Sequence, residues 1–228
     1  MQVEILFPEI SNLFGDSGNV KYLHLALKDA NFYETSYLNE PKFNQKEIDF
    51  LYLGPMSENN QEKIIKKLMP YRERLKKLID QGTVMLFAGN AMEILGEYIE
   101  NEDGTKIEAL NIVNLTSKRN REKRYNSLVF GDFISGIIVG YKSQFAESII
   151  NEDPFITNVK EVRKDGIEGF RINNCFGTNI LGPILVLNPH FTKYLLKLIN
   201  LKGQLPFEKE LILAYNKRLE EYQNLTKY

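Results

Sequence analysis

The chain's 228 residues are 43% hydrophobic, enough to core one large α/β domain, and its 29 basic and 30 acidic residues nearly cancel at a formal charge of −1. That balance excludes a global field for nucleic acid or an anionic membrane surface. A single cysteine, Cys175, excludes an internal disulfide, and two isolated histidines, His24 and His190, are too few for a zinc site.

The N-terminal MQVEILFPEI has no basic leader, and no apolar run reaches the roughly 18 residues of a membrane span, so a soluble cytoplasmic protein is expected. Val3 to Phe7 reads as a first strand stopped by Pro8, and ISNLFGDSGN (Ile10 to Asn19) ends in turn formers. From Val20 to Asn31 the apolar Val20, Leu23, Leu25, Leu27 and Ala30 fall mainly on one helical stripe, with Ser17 or Asn19 as cap. Tyr33 to Leu38 alternates like a strand. Ile48 to Leu53 is nearly all apolar and runs into Gly54-Pro55, which suits a central parallel strand. A helix starts at Ser57 with Asn60 and Gln61, meets Pro70, and continues as YRERLKKLIDQG to a glycine cap at Gly82. Its charges read as a solvated face.

Thr83 to Phe87 is the next buried strand, Ala88 the apex of a sharp turn, and Asn90 to Gly96 a short helix. That is the pattern of a nucleophile elbow, with alanine where a nucleophile belongs. The β-α-β-α-β order calls for a doubly wound, mostly parallel sheet with its site at the strands' carboxyl ends.

Beyond Gly96 the character changes. Glu102-Asp103-Gly104-Thr105 and Lys164-Asp165-Gly166 read as tight turns. Leu110 to Leu115, Ser127 to Phe130, Gly136 to Tyr141, Thr157 to Val162 and Gly169 to Ile172 read as short strands, an antiparallel extension of the sheet. Pro189 to Leu201 is a helix, and Glu208 to Leu225 an amphipathic terminal helix. Residues 1–205 are expected to form one domain, with residues 206–228 packed on it or on a partner.

Four strings carry a resemblance: NLFGDSGNV (Asn12 to Val20), LGPMSENNQ (Leu53 to Gln61), the elbow, and EGFRINNCFGTNILGPIL (Glu168 to Leu185). Together they resemble the class I glutamine amidotransferase domain, in the branch shared by cobyric acid synthase and the glutaminase subunit of lipid II isoglutaminyl synthase. Small size favours the second. The resemblance implies a flavodoxin-like three-layer fold, no cofactor, no metal, and a Mur-ligase-like ATP-dependent amidating partner.

The family's chemistry needs a cysteine nucleophile, a histidine base and backbone oxyanion donors. Where the family reads "CGGYQ", the chain is read as Ala88-Gly89-Asn90-Ala91-Met92, and where it reads "LHGP", Leu181 precedes Gly182-Pro183. The glycine triplet of the oxyanion loop becomes Gly54-Pro55-Met56, and Pro55 lacks an N–H. The "GFENHGG" block becomes Gly140 to Ala146 with only the first glycine kept. Ala88 and Leu181 are thus expected to be vestigial catalytic positions, and Gly54, Pro55 and Gly89 a vestigial oxyanion loop.

In the basic stretch Thr116 to Arg124, Arg121 stands where the branch has an arginine suited to a glutamine carboxylate; a solvated basic loop is the other reading. The expectation is a catalytically degenerate, regulatory or scaffold subunit in cell-wall or cobyrinate-type metabolism. An active glutaminase with a borrowed nucleophile, Cys175 foremost, is the alternative, and a sensor binding a small molecule in the old glutamine pocket is a third. His24 and His190 read as surface or capping residues, and nucleic acid is not an expected partner.

Overall fold

A computed structural model of the chain describes residues 1–161 and 166–225. The Lys164-Asp165 part of the second predicted turn, and the Val162 end of one predicted strand, lie outside the described residues.

The first half alternates as its pattern requires: β1 (Gln2–Leu6), α1 (Ser17–Ala26), β2 (Asn31–Thr35), β3 (Phe50–Leu53), α2 (Glu58–Leu68), α3 (Arg72–Asp80) and β4 (Val84–Ala88). A single 3-10 turn, Met69–Tyr71, separates α2 from α3 at Pro70, because a proline there cannot donate to the preceding turn. Ser57 caps α2 by accepting the Asn60 N–H, and Gly82 turns the chain out of α3 at φ 79°.

The short strands that follow are β5 (Tyr98–Glu100), β6 (Lys106–Glu108), β7 (Leu115–Arg119), β8 (Tyr125–Phe133), β9 (Gly136–Gln144), β10 (Ala146–Ile150), β11 (Ile156–Glu161) and β12 (Gly166–Glu168). Then come β13 (Phe170–Ile172), β14 (Cys175–Thr178), β15 (Ile180–Leu181), α4 (Ile184–Leu187), α5 (Pro189–Leu198) and α6 (Glu208–Leu225).

The central sheet runs β13-β14-β4-β3-β1-β2 and is parallel except for β13. Alternation along β4 sends Val84, Leu86 and Ala88 to one face and Met85 and Phe87 to the other, so two cores form. One lies under α2 and α3 and holds Ile64, Leu68 and Leu75; the other lies under α1, α4 and α5 and holds Leu23, Leu185 and Phe191. Burying each such side chain contributes about 1.5–3 kcal/mol, which is why strands and helices stack in three layers.

Three local expectations change. Helix α1 begins at Ser17, not Val20, so Ser17 and Asn19 lie inside it and neither caps it. Asn19 instead donates to Asp16 Oδ1 and Tyr52 Oη, and accepts the Leu185 N–H at 2.9 Å. Second, the strand expected over Leu110 to Leu115 begins only at Leu115: the N–H groups of Leu110, Ile112 and Val113 are spent on the carbonyls of Ile94 and Leu95 behind the elbow. Third, among the described residues only β13 extends the central sheet as an antiparallel strand. The other antiparallel strands build two further sheets, β10-β7-β5-β6 and β12-β11-β8-β9-β15.

The Glu102 to Thr105 turn does form, joining β5 to β6 with Asp103 accepting the Thr105 N–H. Helix α6 lies over α5, β8 and β9, with Tyr215 donating to the Ile137 carbonyl at 2.6 Å. Among the described residues, no helix is long and apolar enough to cross a membrane.

Candidate functional site

The elbow sits at the carboxyl end of β4, next to β14, where a doubly wound sheet places its site. Ala88 is still strand: φ is −100°, ψ is 144°, and it pairs with Thr178 of β14. The left-handed residue is Gly89, with φ 61°, and a 3-10 helix follows over Gly89–Leu95. The apex is therefore Gly89, one residue later than the sequence reading of Ala88. The apolar run of β4 continues through Ala88, and only the glycine accepts the strained turn without a Cβ penalty.

A Cβ built on Gly89 would stand 2.6 Å from Pro55 Cβ and 3.0 Å from Leu181 Cδ2. The space that a nucleophile's side chain would need is filled by proline and leucine. Pro55, Gly89 and Leu181, singled out separately in the sequence, thus converge. Gly54 belongs to the loop but faces elsewhere: a Cβ there would meet Asp16 Oδ2 at 2.2 Å and the Ser11 carbonyl at 2.5 Å. Its lack of a side chain serves that close approach.

The loop after β3 offers few free oxyanion donors. Pro55 has none, and the Met56 N–H donates to Asn90 Oδ1 at 3.0 Å while Asn90 Nδ2 returns a bond to the Met56 carbonyl at 2.9 Å. This reciprocal pair locks the loop after β3 onto the elbow.

Beside the plug a cavity of about 160 Å³ remains, lined among others by Gln61, Glu93, Arg119, Arg124, Phe145 and Asn179. Glu93 is 2% exposed. Burial pushes its carboxyl up to about 7, only partly countered by the Gln61 amide and the Arg119 charge. Gln61 Nε2 donates to Glu93 Oε2 at 2.9 Å; Glu93 Oε1 has no partner among the described residues.

Arg119, not Arg121, is the buried arginine. Its guanidinium donates to Gln61 Oε1, Glu62 Oε1 and Asn101 Oδ1 at 2.7, 2.7 and 3.1 Å. Arg121 points away, half exposed, beside Glu102 and Asn101, and takes no part in the cavity. Period-2 alternation in LTSKR places Leu115, Ser117 and Arg119 on one inward face, a signal hidden by the neighbouring charges. At the cavity mouth Arg124 lies over the Phe145 ring at 4.3 Å and faces Phe14 at 5.7 Å.

Cys175 is buried in β14, where burial pushes its thiol far above the ordinary range. His24 pairs with Glu34 and stacks on Phe32, and His190 packs on Tyr215. None of the three lines the cavity. Among the described residues no group of His, Cys, Asp and Glu could hold a metal ion.

The quoted strings do serve the fold. Gly18 packs on Pro183, where a Cβ would lie 2.8 Å from Cγ. With Asn19 bonded to the Leu185 N–H, the GDSGN and GPIL segments are stitched together behind the elbow.

Comparison with known proteins agrees with this architecture. The chain is 27% identical over 209 residues to the lipid II isoglutaminyl synthase (glutamine-hydrolyzing) subunit GatD of Staphylococcus aureus strain N315, covering 88% of this chain and 85% of that protein. It is 21% identical to the subunit of the same name from Streptococcus pneumoniae strain R6, covering 82% and 76%. Among solved structures, a glutamine amidotransferase superposes with a TM-score of 0.55 at 14% identity, covering 87% of this chain and 99% of that one. A Thermotoga maritima glutamine amidotransferase gives 0.52 at 10% identity, covering 100% and 94%. Both establish the class I glutamine amidotransferase fold. Residues 3–188 match the CobB/CobQ-like glutamine amidotransferase domain, and the chain belongs to that family.

Proposed function

We propose that this protein is a catalytically degenerate glutamine amidotransferase-like subunit that acts in the cytoplasm by binding. Its partner is a Mur-ligase-like, ATP-dependent amidating enzyme of cell-wall, or cobyrinate-type, metabolism. The observation carrying the first part is the filled apex: Pro55 and Leu181 occupy the space a nucleophile at Gly89 would use. Leu181 can neither take nor give a proton, and the Met56 N–H is already bonded. In a comparable triad enzyme, losing the nucleophile or the base alone costs on the order of 10⁶ in kcat. A borrowed nucleophile finds no support at Cys175, a buried thiol remote from the cavity lining. The partner is supported by the likeness to two proteins that are named as subunits of lipid II isoglutaminyl synthases.

Co-expression with a Mur-ligase-like protein from the same organism tests the pairing. A stable complex that amidates its substrate with ammonium but not with glutamine is expected. Two proteins that elute separately, or a complex that uses glutamine, would overturn this reading.

One observation favours a second reading. Glu93 lines the cavity with Oε1 unpartnered among the described residues, and Arg124 lines it too, which suits a small-molecule sensor that holds a ligand without consuming it.

A further inference from the structure

Away from the elbow, two strand edges are left open on one slot. β9 leaves its sheet after Gln144 and continues past Phe145 as β10, which among the described residues pairs only with β7. β12 is the outermost described strand of the other small sheet. Glu147 to Ile150 of β10 and Gly166 to Glu168 of β12 line the same cavity of about 370 Å³.

The register of β10 says which groups face outward. The Asn151 N–H donates to the Asn114 carbonyl and the Asn120 N–H to the Phe145 carbonyl, in the register that pairs Ala146 with Arg119. Glu147 and Ile149 therefore exchange bonds with β7, and the backbone N–H and C=O groups of Ser148 and Ile150 turn to the free edge. Exposed edges are normally guarded by short length, charged side chains, above all lysine, proline or a bulge. The five-residue β10, AESII, carries one charge, Glu147, and neither lysine nor proline, and its pairing with β7 is unbroken.

The side chains fit the same use. Ile149 and Ile167 stand on opposite rims at 68% and 56% exposure. In the floor, Lys142 is neutralised by Glu161 at 2.6 Å, and Glu168 accepts from Thr178 and the Asn179 N–H. Among the described residues, exposed Glu147 is the charge left at the rim, and Gln144 Oε1 is buried without a hydrogen-bond partner. A slot that offers unused amide donors and acceptors between two apolar rims, with an acid at the edge, matches an extended chain carrying a basic side chain. At strand spacings of about 3.3, 4.8 and 10 Å a residue fills roughly 160 Å³, so about two residues fit between the edges.

We propose that this slot docks an extended, lysine- or arginine-bearing segment of a partner protein, which bridges β10 and β12 by strand addition. The inference stands apart from the fate of glutamine chemistry.

A displayed library of random heptapeptides, selected on the full-length protein, tests it. Enriched peptides should alternate β-branched residues with one basic residue, and should protect the Ser148 and Ile150 amides from hydrogen exchange. N-methylation of alternate peptide amides should weaken them at least tenfold, and Glu147→Lys should weaken the unmethylated peptides. No enrichment over a blank surface, acidic or helix-forming consensus sequences, affinity indifferent to N-methylation, or protection elsewhere would each overturn the proposal.

Discussion

At Gly89 two penalties coincide for any larger residue: φ of 61°, and a Cβ position already crowded by Pro55 and Leu181. The left-handed backbone costs about 1 kcal/mol without glycine and overpacking about 1–3 kcal/mol more. Gly89→Ala should therefore lower the unfolding free energy by about 2–4 kcal/mol in urea titrations; a change below about 0.5 kcal/mol would mean the apex is roomier than described. Glu93 supplies a second test at this scale. Burial pushes its carboxyl up to about 7 from the ordinary 4.5, so between those values the folded state holds a proton that the unfolded state has lost. Stability is then full below about 4.5 and falls as pH rises through about 7. Asp16, raised by burial to about 6, acts in the same sense. Denaturation between pH 5 and 8 should show the fall. Glu93→Gln, which keeps an acceptor for Gln61, should recover about 2–3 kcal/mol at pH 8, whereas identical slopes in both proteins would refute the assignment. Residue identity is legible in the sequence: no cysteine stands at the elbow, Ala88-Gly89, and Leu181 rather than a histidine precedes Gly182-Pro183. The left-handed apex falls at Gly89, one residue after Ala88, where strand pairing ends, and the buried arginine is Arg119, the last residue of β7, while the candidate Arg121 lies past the strand's end in the exposed loop.

Among the elements, the first half was legible because buried parallel strands are continuous apolar runs, and helices such as Arg72–Asp80 carry their stripe openly. The second half was less so. Strand partners there are distant in sequence, and periodicity says that a segment is extended without saying which sheet it joins. Leu110 to Leu115 shows the consequence: its apolar residues are buried, yet its backbone is spent on the turn at Ile94 and Leu95. Helix α6 looked amphipathic, but Tyr215 is its only buried residue among those described, and that hydroxyl bonds the Ile137 carbonyl. Tyr215→Phe should cost about 1 kcal/mol. Tyr215→Ala should cost more and speed amide exchange across α6 while leaving β4 unchanged. Uniform acceleration across both would show that α6 is integral to the global unfolding unit.

At the scale of the whole molecule, the strings that carry the resemblance have a structural explanation. GDSGN and GPIL meet through Asn19 and Leu185 and through Gly18 and Pro183, so they hold the α1 and α4 ends together whatever occurs at the elbow. Gly140 likewise lets β9 approach Ile180, where a Cβ would lie 2.2 Å from Cγ2. These residues build the sheet and its loops. The central claim, that the elbow no longer hydrolyses glutamine, is tested most directly by ammonia release from glutamine by the purified protein, alone and with its ligase partner, against a Cys175→Ala control. No release above buffer is expected from either protein; release by the wild type that the control lacks, or equal release by both above buffer, would contradict it.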